Sequence, residues 1–67
     1  MNINEMIFSY WHTSRGANNV SRYDRMRYVC NALVANHYDY VVRCFPARQG
    51  EGYSAKDLWL YIEDQIN

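Results

Sequence analysis

The feature that most constrains this chain is a helical repeat of apolar side chains within residues 19–37. Side chains recur there at steps of three and four, the spacing of one face of an amphipathic α-helix. The residues at this spacing are Tyr23, Met26, Cys30, Leu33, Val34 and His37. Four residues lie away from that stripe: Asp24, Arg25, Tyr28 and Asn31. With Arg22 and Arg27 at the edges of the stripe, the segment predicts the central helix of a small domain.

Short polar residues predict where the central helix begins and ends. Asn19 or Ser21 is the expected N-terminal cap, with Asp24 three residues after Ser21. Asn36 is the expected end, because asparagine accepts the left-handed conformation that closes many helices. The segment from Thr13 to Asn19 is rich in Gly and Asn and is predicted to be a loop.

The first segment has the signals of a helix and the propensity of a strand. Asn2 and Glu5 have the spacing of a capping box. One helical stripe follows: Ile3, Met6, Ile7, Tyr10 and Trp11. Phe8 falls outside it, and residues 7–11 also favour a strand. We predict a helix, because the cap and the spacing agree.

Residues 37–45 are the ambiguous segment. Their composition favours a strand, yet four apolar positions have helical spacing: Tyr38, Val41, Val42 and Phe45. If the first segment is a helix, a strand here has no partner within the chain. We therefore predict a short helix stopped by Pro46. The alternative is a β-α-β-α fold, with residues 6–12 and 38–45 paired in parallel.

The C-terminal part reads as an exposed, mobile connection at 47–52 followed by a terminal helix. Ser54 and Asp57 resemble a cap. The apolar face of this helix contains Ala55, Leu58, Trp59, Ile62 and Ile66. Four apolar side chains have no obvious place in the core and mark a protein interface if they cluster: Phe8, Val42, Leu60 and Tyr61.

The predicted fold is all-α, a compact bundle of three or four short helices, with residues 1–67 as a single domain. Such a short chain buries a modest core, so a partner or self-association as a homodimer is an expected source of further burial. The expected core consists of Ile3, Ile7, Tyr10 or Trp11, Met26, Cys30, Leu33, Val41, Leu58, Trp59 and Ile62.

Composition and motifs narrow the function classes. No apolar run has the length of a membrane span, and the N-terminus lacks the pattern of a signal peptide, so we expect a cytoplasmic protein without membrane contact. Cys30 and Cys44 read as small buried hydrophobes. Their spacing from His37 is not that of a zinc site, and no phosphate loop, nucleophile elbow or peptidase helix is present. We expect no metal, no cofactor and no catalysis.

Charge is unevenly distributed although the chain is neutral. Residues 1–48 carry six arginines and three carboxylates, net +3, and residues 49–67 are net −3. Arginines are unusual at a helix start, where the dipole is already positive. We expect Arg15, Arg22 and Arg25 to converge on an anion. The expected contact surface consists of Arg15, Arg22, Tyr23, Arg25, Arg27 and Tyr28. The alternative is that the chain's own acidic C-terminal part neutralises the basic cluster.

The runs Trp11–Gly16 and Ser21–Met26 resemble parts of small uncharacterised proteins encoded by bacteriophages. The resemblance covers about a quarter of the chain. It implies a regulator or inhibitor that acts by binding a host protein. The leading hypothesis is therefore a non-catalytic protein that docks on a macromolecular partner, with a protein favoured over nucleic acid. The alternative is a nucleic-acid-binding helical domain that contacts phosphates through the same residues.

Overall fold

The computed structural model describes residues 2–16 and 21–67. These residues form four α-helices: α1 (Ile3–Ser14), α2 (Arg22–Asn36), α3 (Tyr38–Cys44) and α4 (Ala55–Ile66). The described ranges contain an isolated bridge between Pro46 and Tyr53 and no longer strand pairing. The predicted all-α bundle is confirmed, and the β-α-β-α alternative is wrong.

Side-chain caps fix the starts of three helices as the sequence predicts. The backbone N–H of Glu5 donates to Asn2 Oδ1 at 2.9 Å. In the same way, a backbone N–H in the first turn of α2 donates to Ser21 Oγ at 3.1 Å, and one in the first turn of α4 donates to Ser54 Oγ at 3.3 Å. Each cap satisfies one of the amides that a helix start leaves without an intrahelical acceptor. The other expected cap of α2, Asn19, lies outside the described residues.

The junction between α2 and α3 differs from the expected left-handed ending at Asn36. Asn36 is the last residue of α2, and its side chain donates to the Ala32 carbonyl. His37 separates the helices with φ −137° and ψ 44°, so the chain turns directly into α3 without a left-handed residue. The Tyr10 hydroxyl and His37 Nε2 share a 2.9 Å hydrogen bond, so the half-buried His37 side chain has a partner within the fold.

The core lies between α1, α2 and α4, with α3 closing one end. Its fully buried hydrophobic residues are Met6, Ile7, Met26, Val29, Leu33, Val41, Leu58 and Ile62. Five residues that we predicted to be core are only partly buried and pack against its edge: Ile3, Tyr10, Trp11, Cys30 and Trp59. Met6 and Val29 also belong to the core, although the prediction did not include them.

The buried face of α2 is rotated from the predicted stripe toward Arg25. Val29, which the stripe omitted, is fully buried, whereas Tyr23, which the stripe included, is 61% exposed. The predicted stripe follows the spacing of side chains within α2 alone. The observed face follows the contact with α1 and places Arg25 beside the core.

Three expectations near the helix ends are wrong. Thr13 and Ser14 belong to α1 and not to a loop. Cys44 is exposed, because it lies on the outer side of the one-sided helix α3, where Val41 alone is fully buried. Ala55, predicted on the buried face of α4, is also exposed.

The connection from α3 to α4 is closed by backbone hydrogen bonds. Ser54 N–H donates to the Phe45 carbonyl at 2.8 Å, and Ala47 N–H donates to the Gly52 carbonyl at 3.2 Å. Gly50 and Gly52 have φ values of 75° and 102°, in the region that favours glycine. The loop therefore returns the chain to the bundle at the start of α4.

The four apolar side chains without an assigned place separate into two kinds. Tyr61 packs against the core, with its ring centroid 5.4 Å from that of Phe45 and its hydroxyl donating to Asn4 Oδ1. Val42 is half-buried. Phe8 and Leu60 remain 40% and 51% exposed.

Candidate functional site

Arg25 joins the beginning of α2 to the end of α1. Its Nε donates to Ser14 Oγ and its Nη2 to the Trp11 carbonyl, both at 2.8 Å. Its Cζ lies 3.7 Å from the centroid of the Trp11 ring. The last carbonyls of a helix have no intrahelical donor, and the C-terminal end of a helix favours a cation. Arg25 therefore completes the end of α1 and holds the two helices together.

The three arginines expected to converge do lie near one another. Burial, and then the like charges of Arg15 and Arg22, lower the pKa of Arg25. Arg22 donates to Asn67 Oδ1 at the end of α4, and its Cζ lies 5.5 Å from the Trp11 ring centroid. Two guanidinium groups thus cover one indole, while Arg15 is exposed.

Among the residues that the structure describes, no carboxylate of the acidic C-terminal part forms an ion pair with this basic cluster. Within residues 2–16 and 21–67 the one ion pair joins Arg48 Nη2 to Asp57 Oδ1 at 3.2 Å. Three uncharged groups therefore stabilise the positive charge of the cluster: the C-terminal end of α1, the side-chain amide of Asn67 and the indole face of Trp11. None of these neutralises it.

The other side of α2 presents Tyr23 and Arg27 to solvent. The Tyr23 ring lies on the Trp59 ring, with centroids 5.2 Å apart and a tilt of 46°. Arg27 is exposed, and no hydrogen bond or ion pair to it occurs in the described part of the chain. Tyr28 is half-buried beside Asp24 and lines a shallow polar hollow with Arg27.

Between α2 and α4 lies a cleft of about 230 Å³, which we call the α2–α4 cleft. Its surface is polar and apolar in nearly equal parts, because Arg27 and Asn31 line it together with aromatic and aliphatic side chains. Its lining consists of Tyr23, Arg27, Cys30, Asn31, Val34, Tyr53, Ala55, Leu58 and Trp59. Tyrosine, tryptophan and arginine, all present in this lining, are residue types enriched at protein interfaces.

The predicted site residues are thus divided among three locations, with Tyr28 in the shallow polar hollow. Arg15, Arg22 and Arg25 lie where α1 and α2 meet, and Tyr23 and Arg27 line the α2–α4 cleft. Sequence reasoning missed Trp59 as a site residue because its helical spacing assigned it to the core. It missed Trp11 and Ser14 as partners of Arg25, since no sequence pattern shows that a helix end will meet a guanidinium group.

Cys30 borders the α2–α4 cleft as a protonated thiol. Burial raises its pKa to about 11, so it is a poor nucleophile and a poor metal ligand near neutral pH. Cys30 and Cys44 are both free. No three His, Cys, Asp or Glu side chains gather into a metal-binding group among the residues that the structure describes.

A larger, open depression of about 420 Å³ lies between α3 and the loop that follows it. Tyr38, Asp39, Val42 and Glu51 are among the residues that line it. It contains none of the predicted site residues, and it is separate from the α2–α4 cleft.

Comparisons with other proteins give no family for the chain. No helix among the described residues is both long enough and apolar enough to cross a membrane. No protein-family model, curated protein or solved structure matches the sequence or the fold.

Proposed function

We propose that this chain is a small, cytoplasmic, non-catalytic binding protein that docks on a partner protein through the outward side of α2 and the α2–α4 cleft. Its action is occlusion or recruitment of that partner, the role of a regulator or inhibitor that the resemblance to phage-encoded proteins implies. Tyr23 and Arg27 make the principal contacts, and Trp59 forms the floor beneath them.

The observation that carries the proposal is that Tyr23 and Arg27 are both exposed at the α2–α4 cleft, next to Trp59. Tyr, Trp and Arg are the residue types that contribute most to binding at protein interfaces. Tyr23 is 61% exposed over Trp59, and Arg27 has no partner in the described part of the chain. A partner can bind both side chains without breaking a bond that stabilises the fold.

Nucleic acid is the second candidate, supported by the proximity of Arg15, Arg22 and Arg25 without an intrachain carboxylate in the described part. A protein partner is favoured for two reasons. Arg25 already donates to the Trp11 carbonyl and to Ser14, so fewer of its N–H groups remain for phosphate. The chain also has zero net charge, whereas a nucleic-acid-binding domain is typically basic overall.

Affinity capture with matched variants tests the docking surface. The tagged chain is compared with Tyr23→Ala/Arg27→Glu and with a control, Phe8→Ala/Arg43→Glu, which also removes one exposed aromatic ring and reverses one exposed arginine. We expect the first variant to retain its circular dichroism spectrum and lose at least about tenfold of the specific capture, as expected for residues central to an interface. Equal capture by the two variants, or loss only in the control, would place the contact elsewhere.

Salt dependence distinguishes the two kinds of partner. Fluorescence anisotropy with a labelled DNA duplex and a labelled single-stranded RNA measures affinity as salt rises. Phosphate neutralisation makes log affinity fall linearly with log salt. We expect no saturable binding to either probe. Saturable binding with a steep salt slope that Arg15→Glu/Arg22→Glu abolishes would replace the protein partner with nucleic acid.

A further inference from the structure

The outer face of α4 has a ridge of complementary chemistry beside the α2–α4 cleft. Leu60 is 51% exposed at its centre. Glu63 and Asp64 follow at i+3 and i+4, so their carboxylates lie on the same side of the helix. Both are exposed, and no ion pair engages either carboxylate within the described residues. We call Leu60, Glu63 and Asp64 the α4 ridge.

The α2–α4 cleft has chemical groups that are complementary to those of the α4 ridge. Its lining includes the Tyr23–Trp59 ring pair, whose aromatic surface can pack against a leucine side chain. Arg27 is a cation without a carboxylate partner in the described part of the chain, and it lines the same cleft. The ridge has an apolar side chain followed by carboxylates, and the cleft has an aromatic ring pair beside a guanidinium group.

The positions of ridge and cleft also suit a symmetric contact. Trp59 immediately precedes Leu60 and lies one turn before Glu63, so the ridge borders the cleft along α4. When a projecting group and its complementary hollow are neighbours on one face, a two-fold axis can satisfy both at once. Each copy then inserts its own ridge and receives the ridge of the other, which closes the assembly at a dimer.

We propose that a second copy of this chain occupies the α2–α4 cleft, with Leu60 seated on the Tyr23–Trp59 pair and Glu63 against Arg27. This inference rests on the cleft that the proposed function uses. Self-association covers Tyr23 and Arg27, so the dimer is the form in which the docking surface is closed, and the monomer is the form that binds the partner protein.

Sedimentation velocity of the purified chain, from micromolar to millimolar concentration, tests the proposal without any partner present. The sedimentation coefficient of the wild type rises with concentration toward that of a dimer. Arg27→Glu and Glu63→Arg each weaken the dimer about tenfold or more, because a symmetric dimer contains the contact twice. The charge-swapped double variant, Arg27→Glu/Glu63→Arg, restores association, since the opposite charges again meet.

Leu60→Ser and Phe8→Ser form a matched pair, because each removes an exposed apolar side chain from a helix. We expect Leu60→Ser to remain monomeric and Phe8→Ser to associate like the wild type. A wild-type chain that stays monomeric at millimolar concentration, equal effects of the two serine variants, or a charge swap that fails to restore association would each overturn the proposal.

The two proposals fail independently in these experiments. Leu60 is not among the residues that line the cleft, so Leu60→Ser should capture the partner protein at least as well as the wild type. If the chain never dimerises while Tyr23→Ala/Arg27→Glu still loses capture, only the dimer is overturned. If the chain dimerises through Leu60 while capture does not depend on Tyr23 and Arg27, the proposed docking surface is overturned.

Discussion

The two sides of α2 use the same residue type in opposite ways. Arg25 donates to the Trp11 carbonyl and to Ser14, while Arg27, two residues later, is exposed and has no partner in the described part of the chain. Two residues differ by about 200° around a helix, so these side chains leave α2 in nearly opposite directions. Direction around the helix, more than residue type, separates the arginine that stabilises the fold from the one available for binding.

The two tryptophans show the same difference. Trp11 is covered by two guanidinium groups, at 3.7 and 5.5 Å from its ring centroid, and one of these also binds the end of α1. Trp59 is covered on the α2 side by the ring of Tyr23, which is 61% exposed. Displacing the groups that cover Trp11 breaks hydrogen bonds between α1 and α2. Displacing the group that covers Trp59 only moves the exposed ring of Tyr23. The proposed function therefore places the partner on the second side.

The largest expected effect comes from removing the core residue between the two sides. Met26 is 2% exposed. Met26→Ala should cost about 2–5 kcal/mol of the free energy of unfolding through lost burial and a cavity. That is comparable to the roughly 3–5 kcal/mol that a core of this size supplies, so the variant should be largely unfolded. Urea unfolding followed by circular dichroism measures this. A folded variant with the wild-type midpoint would show that the core does not hold the two sides together.

Lysine substitutions test the α1 side directly. A lysine ammonium cannot reproduce the planar guanidinium fork that reaches the Trp11 carbonyl and Ser14 Oγ while lying on the indole. We expect Arg25→Lys to lower the urea midpoint clearly more than Arg22→Lys, which also retains the charge. Equal midpoints for the two variants would contradict the stabilising role of Arg25.

Cysteine labelling tests the accessibility of the α4 side. With its pKa raised from 9.0 to about 11, Cys30 has about a hundredfold less thiolate at neutral pH. In the native chain we expect iodoacetamide to modify the exposed Cys44 first and Cys30 much later. In urea the two cysteines should react at similar rates. Peptide mass spectrometry measures the modification of each cysteine. Comparable rates in the native chain would show that the cleft is open to the reagent down to Cys30.

The same thiol predicts a change of stability at high pH. Because its pKa is raised in the folded state, its contribution is fully present below about pH 9 and is lost as pH rises toward 11. Urea midpoints of the wild type and Cys30→Ala over this range should converge as pH rises. A constant difference between them would exclude this titration as the cause.

The smallest expected effect is at the exposed ion pair. Arg48 and Asp57 have 80% and 34% exposed side chains, and such surface pairs contribute about 0–1 kcal/mol. Arg48→Ala should therefore leave the urea midpoint nearly unchanged, in contrast to Arg25→Lys. A large decrease of the urea midpoint in Arg48→Ala would show that exposed arginine contacts also stabilise this fold.

Much of the fold follows from local chemistry and was predictable. Ser21 and Ser54 cap helices because their hydroxyls satisfy amides three residues later, a pattern readable from the sequence. The helical state of residues 38–44 followed from the absence of a strand partner once α1 was assigned as a helix. Pro46 then ends that segment as expected.

The rotation of α2 and the division of the site were not predictable from periodicity. The predicted stripe places Arg25 on the outer side, omits the buried Val29 and includes the exposed Tyr23. The reason for its inward position is the end of α1, a contact between segments that spacing within one helix does not contain. The sequence identified the arginine-rich beginning of α2, and only the packing of the helices shows which of its side chains are free.

One crossed comparison tests the central claim that α2 stabilises the fold on one side and binds on the other. Arg25→Lys and Arg27→Glu are each measured for the urea midpoint and for partner capture per folded molecule. We predict that Arg25→Lys lowers the midpoint and leaves capture unchanged, whereas Arg27→Glu reduces capture and leaves the midpoint unchanged. The opposite pattern, with capture depending on Arg25 and stability on Arg27, would contradict the assignment of the two sides.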